Sequence, residues 1–148
     1  MLSRYKMVFI VFSILLSGFA SASNLECRRA KIRFWKESKS VETLFDYCSD
    51  SKGTRLVSYN CTQEHNCEIL AAIRSKSGLI DVDITTVGNP GFNICYKIGG
   101  KPKIVEFQLN NQWVKLDWCF FERDQSFINT GYLFRLMKGG PRSQVSLP

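Results

Sequence analysis

The sequence predicts an α+β fold, in which small antiparallel sheets are braced by disulfides and short helices. Some segments alternate apolar and polar residues with the period of a strand, and others repeat apolar residues with the period of a helix. Six cysteines lie in a chain of 148 residues, of which 45% are hydrophobic and 13% aromatic. This length and composition support one domain or two very small ones, with enough apolar material for a core.

Residues 1–22 have the pattern of a signal peptide. Arg4 and Lys6 precede the apolar run from Met7 to Leu16, and the small residues from Ala20 to Ala22 form a cleavage pattern. The run is shorter than the about 20 apolar residues of a membrane-spanning helix, which argues against the alternative of an uncleaved anchor. We therefore expect export to the periplasm or the cell exterior after cleavage near Ala22, with no transmembrane segment in the mature chain.

Cleavage would remove Arg4 and Lys6 but no acidic residue, so the formal charge would fall from +7 to +5. A moderate positive charge on an exported chain argues against nucleic acid as a partner. All six cysteines follow residue 22, and an even number of cysteines in a short exported chain indicates disulfides. With one histidine in the chain, the sequence predicts neither a metal site nor a cofactor.

Residues 23–87 are predicted to form the first of two units. Alternation of apolar and basic residues over 29–35 predicts a strand, with a helix as the alternative. Apolar residues at helical spacing over 41–48, with Ser40 as the N-cap, predict a short amphipathic helix. Further strands are predicted over 56–59, 68–74 and 79–86, with a helix as the alternative for 68–74.

Residues 88–138 form the second predicted unit, which begins with a helix. Asn89 is the expected cap, Pro90 lies in the first turn, and Gly99-Gly100 ends the helix. The remainder is predicted to be a hairpin over 103–121, a strand or final helix over 126–136 and a loose tail over 139–148.

The hairpin over 103–121 turns at Asn110-Asn111, two residues that tolerate the positive φ of a tight turn. In this register the numbers of facing residues sum to 221, which places Glu106 opposite Lys115 as an opposite-charge pair. The same register places the second cysteine of the unit on the polar face. We therefore predict a β-bulge near Asp117–Cys119 that turns this cysteine inward.

The two units share a sequence pattern. In each, a phenylalanine precedes a cysteine by three residues, at Phe45 and at Phe92, and a glycine and a strand follow. This similarity extends the predicted fold class to two tandem helix-plus-hairpin units, with a chance match as the alternative.

The segment from Cys61 to Cys67 also contains His65 and is the densest cluster of reactive side chains. Two thiols and one imidazole fall short of the four ligands of a structural zinc site, and cysteines of exported chains oxidise, so a disulfide is favoured. Asp81 and Asp83 would share one face of a strand and could act as an acid–base pair on a glycan. A solvated polar face is the favoured interpretation of these two aspartates.

A basic stripe lies near the start of the exported chain, and it contains the candidate binding surface. Arg29, Lys31 and Arg33 share one face of the predicted strand, and Trp113, on the polar face of the hairpin, is the tryptophan expected to be most exposed. This surface would suit an anionic envelope polymer or a protein partner. The alternative is a solvated face that nearby glutamates partly neutralise. The whole stripe consists of Arg28, Arg29, Lys31, Arg33, Lys36 and Lys39.

Residues from Asn89 to Gly100 have the pattern N-P-x4-C-x3-G-G, which a strand pair, Cys119 and a short acidic turn follow. This arrangement resembles a small cysteine-containing domain of unknown function, found in exported bacterial proteins that carry the label hemolysin. The resemblance covers about residues 88–135. It implies an exported bacterial protein and a disulfide between Cys95 and Cys119, and it brings no catalytic residues.

For the other four cysteines we favour the pairs Cys27–Cys48 and Cys61–Cys67. If the tandem repeat holds, Cys48 would instead pair with Cys61 or Cys67. Three disulfides between the six cysteines would then stabilise a chain that has a modest hydrophobic core.

The favoured function is a non-enzymatic, exported, disulfide-stabilised module that binds an envelope component or a protein partner. One alternative is an inhibitor of a secreted hydrolase that presents the loop 61–67. The other is a small envelope glycan hydrolase that uses Asp81 and Asp83. The sequence predicts no oligomeric state.

Overall fold

The structure is a computed structural model that describes residues 25–138, apart from 64–66, 77, 79, 81–87 and 110. The strands within these residues are β1 (Glu26–Lys36), β2 (Lys39–Ser49), β3 (Leu56–Ser58), β4 (Lys101–Leu109), β5 (Gln112–Phe120) and β6 (Phe127–Asn129). The helices are α1 (Tyr59–Gln63), α2 (Glu68–Lys76), α3 (Pro90–Ile98) and α4 (Thr130–Lys138). The six strands form one closed antiparallel barrel in the order β1-β2-β3-β6-β5-β4.

The predicted α+β fold with two tandem helix-plus-hairpin units is wrong. Each half of the chain contributes three strands to a single barrel, because β1 pairs with β4 and β3 pairs with β6. The inward faces of both hairpins are rich in aromatic residues, and closure buries these faces against each other and leaves few free strand edges. The similar Phe-x-x-Cys patterns fall on different elements, one on β2 and one on α3.

The segment 41–48 belongs to strand β2 and is not the amphipathic helix that its spacing predicts. Val41, Phe45 and Tyr47 also share one face of a strand, so the pattern alone does not exclude a strand. The strand is selected by its partner, since β2 pairs with β1 over the whole length of both. Glu37 and Ser38 connect them with φ values of 50° and 65°, as a two-residue hairpin turn requires. The strand predicted over 29–35 is confirmed as part of β1.

The hairpin predicted over 103–121 is confirmed, with Glu106 opposite Lys115 and a φ of 64° at Asn111 in the turn. The bulge predicted near Asp117–Cys119 is wrong, because the ladder of β4 and β5 continues without interruption. Cys119 stays on the outward face of β5 and is nevertheless fully buried, since α3 and α4 pack on that face. Coverage by helices, rather than a bulge, buries this cysteine.

The helix predicted after Asn89 is confirmed as α3. The Asn89 side chain accepts a hydrogen bond from the backbone N–H of Gly91 at 2.9 Å, and Gly99 ends the helix with a φ of 93°. Helix α3 packs closely on α4, because a Cβ at Gly91 would lie 2.6 Å from the carbonyl oxygen of Thr130. Glycine is therefore required at this crossing.

The remaining predictions have mixed outcomes. The strand over 56–59 is confirmed as β3, and the alternative of a helix over 68–74 is confirmed as α2. Residues 126–136 form both of the predicted structures in succession, the short β6 and then α4. The predicted signal peptide, most of the strand over 79–86 and the tail over 139–148 lie outside the described residues.

The fold contains two hydrophobic clusters among the described residues. The barrel core lies inside the barrel and contains inward-facing residues of all six strands. Its buried members are Ala30, Ile32, Tyr47, Leu56, Val105, Phe107, Trp118, Phe120 and Phe127, with Phe34, Phe45, Leu109 and Leu116 packed against them. The helical layer lies between the helices and the outward face of the barrel. Its buried members are Cys48, Val57, Cys61, Cys67, Ile69, Leu70, Ile73, Ile94, Cys95, Ile98, Cys119, Phe121, Ile128, Tyr132, Leu133 and Met137.

Three disulfides link the six cysteines as Cys27–Cys48, Cys61–Cys67 and Cys95–Cys119, which is the pairing favoured from the sequence. The first joins facing residues of β1 and β2, and the third joins α3 to β5. Five of the six cysteines belong to the helical layer. The chain is thus a small disulfide-stabilised module, and such modules are typical of oxidising compartments outside the cytoplasm. No helix in the described ranges combines the length and the apolar character needed to cross a bilayer.

Candidate ligand-binding cavity

A cavity of about 710 Å³ opens at one end of the barrel. This end is formed by the end of β1, the start of β2, the start of β4 and the end of β5, which the antiparallel register brings together. The wall is mainly apolar and aromatic, and its main members are Ile32, Phe34, Phe45, Val105, Trp118 and Phe120. Ligand pockets of about 300–1,000 Å³ with walls of this type commonly hold one small molecule.

The cavity continues through a gap between β1 and β4. These strands pair only at Ile32–Phe107 and Arg33–Glu106, so the last residues of β1 and the first residues of β4 do not pair. A second cavity beside the first shares Phe34, Val41, Lys103 and Glu122 with it, and adds Trp35 and Ile104. Trp35 and Ile104 are 55% and 59% exposed, which makes the gap an apolar entrance.

The charged group closest to the aromatic wall is the ammonium of Lys103. Its Nζ lies 4.3 Å from the ring centroid of Phe120 and 5.8 Å from that of Phe34, as in cation–π contacts. Lys103 faces Trp118 across the β4–β5 ladder, so its stem points into the barrel. The described residues include no carboxylate that forms a salt bridge with Lys103.

Glu122, the acidic residue of the wall, is paired elsewhere. Lys101 Nζ donates a hydrogen bond to Glu122 Oε2 at 2.6 Å. This hydrogen bond, the charge of Lys101 and the charge of Lys103 hold the pKa of Glu122 below its ordinary value, against a small effect of burial. Glu122 is therefore ionised at neutral pH but committed to Lys101, and Lys103 remains available at the rim.

The interior side of the cavity is a rigid aromatic cluster. The rings of Trp118 and Phe127 are stacked at 3.9 Å, and Phe45 contacts both of them edge to face. The Trp118 Nε1–H is buried and has no acceptor among the residues that the structure describes. These ring contacts fix the relative positions of the aromatic side chains.

The three arginines of the basic stripe are paired with carboxylates. Arg28 pairs with Glu26 at 2.5 Å, and Arg29 donates two hydrogen bonds to Asp46 at 2.7 and 2.9 Å. The hydrogen bond from Arg29 lowers the pKa of Asp46, so this pair is ionised at neutral pH. The remaining lysines of the stripe, Lys31, Lys36 and Lys39, are exposed.

Arg33 and Trp113, two members of the candidate binding surface, lie together. The Arg33 guanidinium carbon is 4.4 Å from the Trp113 ring centroid, and Arg33 Nε donates to Glu106 at 2.7 Å. Trp113 is half-buried, and the Arg33 side chain is 28% exposed. The guanidinium is thus bound to a carboxylate and an indole of its own barrel, and it strengthens the β1–β4 contact.

The other sequence candidates do not form a described site. His65, Asp81 and Asp83 lie outside the described residues. Cys61 and Cys67 are bonded to each other, and both are buried. No group of three or more side chains suited to a metal ion occurs in the described ranges.

Sequence reasoning missed the cavity and its lysine. One signal was present, because the register of the hairpin places Lys103 on the same face as Val105 and Phe107. A lysine at the end of an inward-facing apolar row indicates either an entrance or a ligand contact. The other walls come from β1 and β2, and their proximity to β5 cannot be derived from local patterns.

Comparison of the chain with protein families, with curated proteins and with solved structures finds no match. The resemblance of residues 88–135 to the cysteine-containing domain of hemolysin-labelled proteins stays a prediction.

Proposed function

We propose that this protein is an exported binding module that holds an apolar envelope component in the barrel cavity. The single observation that carries this proposal is the cavity of about 710 Å³ with its aromatic wall and its lateral entrance. The signal-peptide pattern and the three disulfides support export. Binding, rather than chemistry, is the proposed activity.

The composition of the cavity supports binding over catalysis. Its charged groups are Lys103 and Glu122, and Glu122 is paired with Lys101 outside the wall. Acid–base catalysis would need a second titratable group held within hydrogen-bond reach of a reacting atom. An aromatic wall instead favours an apolar ligand, because burial of apolar surface contributes about 25 cal/mol per Å².

The test uses N-phenyl-1-naphthylamine, a neutral apolar dye that becomes fluorescent when it leaves water. We expect saturable binding of the dye to the purified, oxidised protein. Val41 lines the cavity and is 37% exposed, so tryptophan at this position should obstruct the opening. We expect Val41→Trp to weaken dye binding by about tenfold or more, which corresponds to about 1.4 kcal/mol or more.

Val114→Trp is the matched control. Val114 is 39% exposed, faces the same side of the sheet, and lies near the β4–β5 turn at the opposite end of the barrel. This variant should bind the dye as the unmodified protein does. Equal binding by all three proteins, or no saturable binding at all, would overturn the proposal.

A further inference from the structure

We propose that the ligand of the cavity is a single-chain anionic amphiphile, such as a free fatty acid. Its hydrocarbon chain would lie along the aromatic wall, and its carboxylate would pair with Lys103. The inference rests on the proposed function and adds the chemical class of the ligand. It is carried by the position of one ammonium group, with no salt-bridge partner of its own among the described residues, at the opening of a mainly apolar cavity.

The charge around the opening favours an anionic head. Lys36 and Lys103 line the opening, and Glu122, the acidic member of the two lining sets, already accepts a hydrogen bond from Lys101. A carboxylate at Lys103 would gain a charge-assisted hydrogen bond without displacing an existing ion pair. A cationic head would meet two ammonium groups, so the charge selects against it.

The geometry favours a single extended chain. On the interior side the cavity is lined by Phe45, Trp118 and Phe120 of the barrel core, whereas the gap between β1 and β4 is lined by the exposed Trp35 and Ile104. Lys103 contributes to both parts and is anchored on β4 at the edge of the gap. A head group at Lys103 would thus stay near solvent while one apolar tail fills the interior.

Three amphiphiles with the same tail and different heads test the inference: dodecanoate, dodecanol and dodecyltrimethylammonium. Dodecanoate and dodecyltrimethylammonium are titrated below their micelle-forming concentrations, and dodecanol below its solubility limit, against the purified protein loaded with the naphthylamine dye. Since a charge-assisted hydrogen bond contributes more than a neutral one, we expect dodecanoate to displace the dye at about tenfold lower concentration than dodecanol. The ammonium compound should bind more weakly than either.

Variants at Lys103 test whether this side chain causes the preference for dodecanoate over dodecanol. We expect Lys103→Gln to bind dodecanol as before and to lose the preference for dodecanoate, and Lys103→Arg to retain most of it. Lys52→Gln is the matched control, because Lys52 is exposed in the β2–β3 connection, lines neither cavity, and the variant makes the same change of charge. Retention of the full preference in Lys103→Gln would overturn the inference.

The proposed binding cavity and the proposed anionic ligand would be overturned by different results. If dodecanoate and dodecanol compete equally well with the dye, the anionic class is wrong and the apolar cavity stands. If neither competes and Val41→Trp has no effect on the dye, the cavity itself is not a binding site. Phosphatidylglycerol vesicles distinguish a free amphiphile from a membrane surface as the ligand. Co-sedimentation of the protein with these vesicles that depends on Lys103 would overturn the proposal of a free ligand.

Discussion

The two hydrophobic clusters of this protein differ in how they are held. The helical layer contains five of the six cysteines, and its described members are mostly aliphatic. The barrel core contains no cysteine and is dominated by aromatic rings in stacked and edge-to-face contacts. One cluster is crosslinked and filled, whereas the other is built from rigid rings around an open cavity.

The residues that stabilise the fold through crosslinks are therefore different from the residues that line the candidate binding site. Disulfides stabilise a fold mainly by restricting the unfolded chain, so their effect does not require that they touch the binding site. Crosslinks in the helical layer thus allow the barrel to keep an unfilled space, which alone would cost packing energy.

The largest effect is expected from the bridge between α3 and β5. The double variant Cys95→Ala/Cys119→Ala removes a crosslink with a sequence separation of 24 and should lower the free energy of unfolding by about 2–5 kcal/mol. Urea denaturation monitored by circular dichroism measures the change. At temperatures where the variant is folded, it should still bind the naphthylamine dye.

The double variant Cys61→Ala/Cys67→Ala is the matched control, since its bridge has a sequence separation of only 6. A shorter closed loop restricts the unfolded chain less, so a smaller loss of stability is expected. Loss of dye binding in the folded Cys95→Ala/Cys119→Ala protein would show that the two clusters are coupled.

A smaller effect is expected from Asp124, which joins the β5–β6 loop to the helical layer. Its carboxylate accepts hydrogen bonds from the backbone N–H groups of Glu68 at 2.7 Å and Ser126 at 3.0 Å. Burial opposes ionisation of this carboxyl, but these hydrogen bonds together lower its pKa below the ordinary value. Its contribution to stability is therefore complete above about pH 3.9 and is lost as the pH falls through the lower pKa of the folded state.

Asp124→Asn should cost about 1 kcal/mol of unfolding free energy at pH 7, because a neutral amide replaces a charged acceptor. The difference from the unmodified protein should shrink as the pH is lowered below about 3.9, where the aspartate itself becomes protonated. Urea titrations between pH 7 and pH 2 measure both quantities. Glu122→Gln, at the exposed ion pair of the opening, is the control and should show a smaller pH-dependent difference, because solvent screens an exposed ion pair. A difference that stays constant with pH would contradict the assignment to the Asp124 carboxylate.

The smallest effect on the free energy of unfolding is expected at the open end of the barrel, beside the cavity. Val41→Trp places a larger side chain at the opening and should change the free energy of unfolding by less than about 0.5 kcal/mol. Val57→Trp is the contrasting variant, since Val57 is fully buried in the helical layer and overpacking there typically costs about 1–3 kcal/mol. Equal losses in thermal denaturation would show that the barrel end is as tightly packed as the helical layer.

Sequence reasoning predicted the elements that local interactions determine. Helix α3 follows from its cap at Asn89 and its stop at Gly99, and the register of β4 and β5 follows from the short turn and the Glu106–Lys115 pair. The segment 41–48 was assigned wrongly because the spacing of Val41, Leu44, Phe45 and Cys48 fits a helix, whereas pairing with β1 selects the strand. The fold class was predicted wrongly for the same reason. Closure of the barrel depends on two strand pairs, β1–β4 and β3–β6, whose members are far apart in sequence.

The candidate site was less predictable than the fold elements. Its wall combines Phe34, Phe45 and Phe120, which three different strands supply. Among the basic residues, sequence charge did not distinguish Arg33, which is bound to Glu106, from Lys103, which faces the cavity. Charge counts describe a surface, whereas the availability of a charge depends on neighbours that only the tertiary structure defines.

The closing contact between β1 and β4 also determines the order in which the barrel can assemble. The two long hairpins connect strands through two-residue turns, so each can form from residues close in sequence, on the time scale of microseconds. The pairs Ile32–Phe107 and Arg33–Glu106 instead connect residues more than 70 positions apart and enclose a long loop. We therefore expect closure to be a late step of folding, together with the β3–β6 pair Val57–Ile128, which joins residues 71 positions apart.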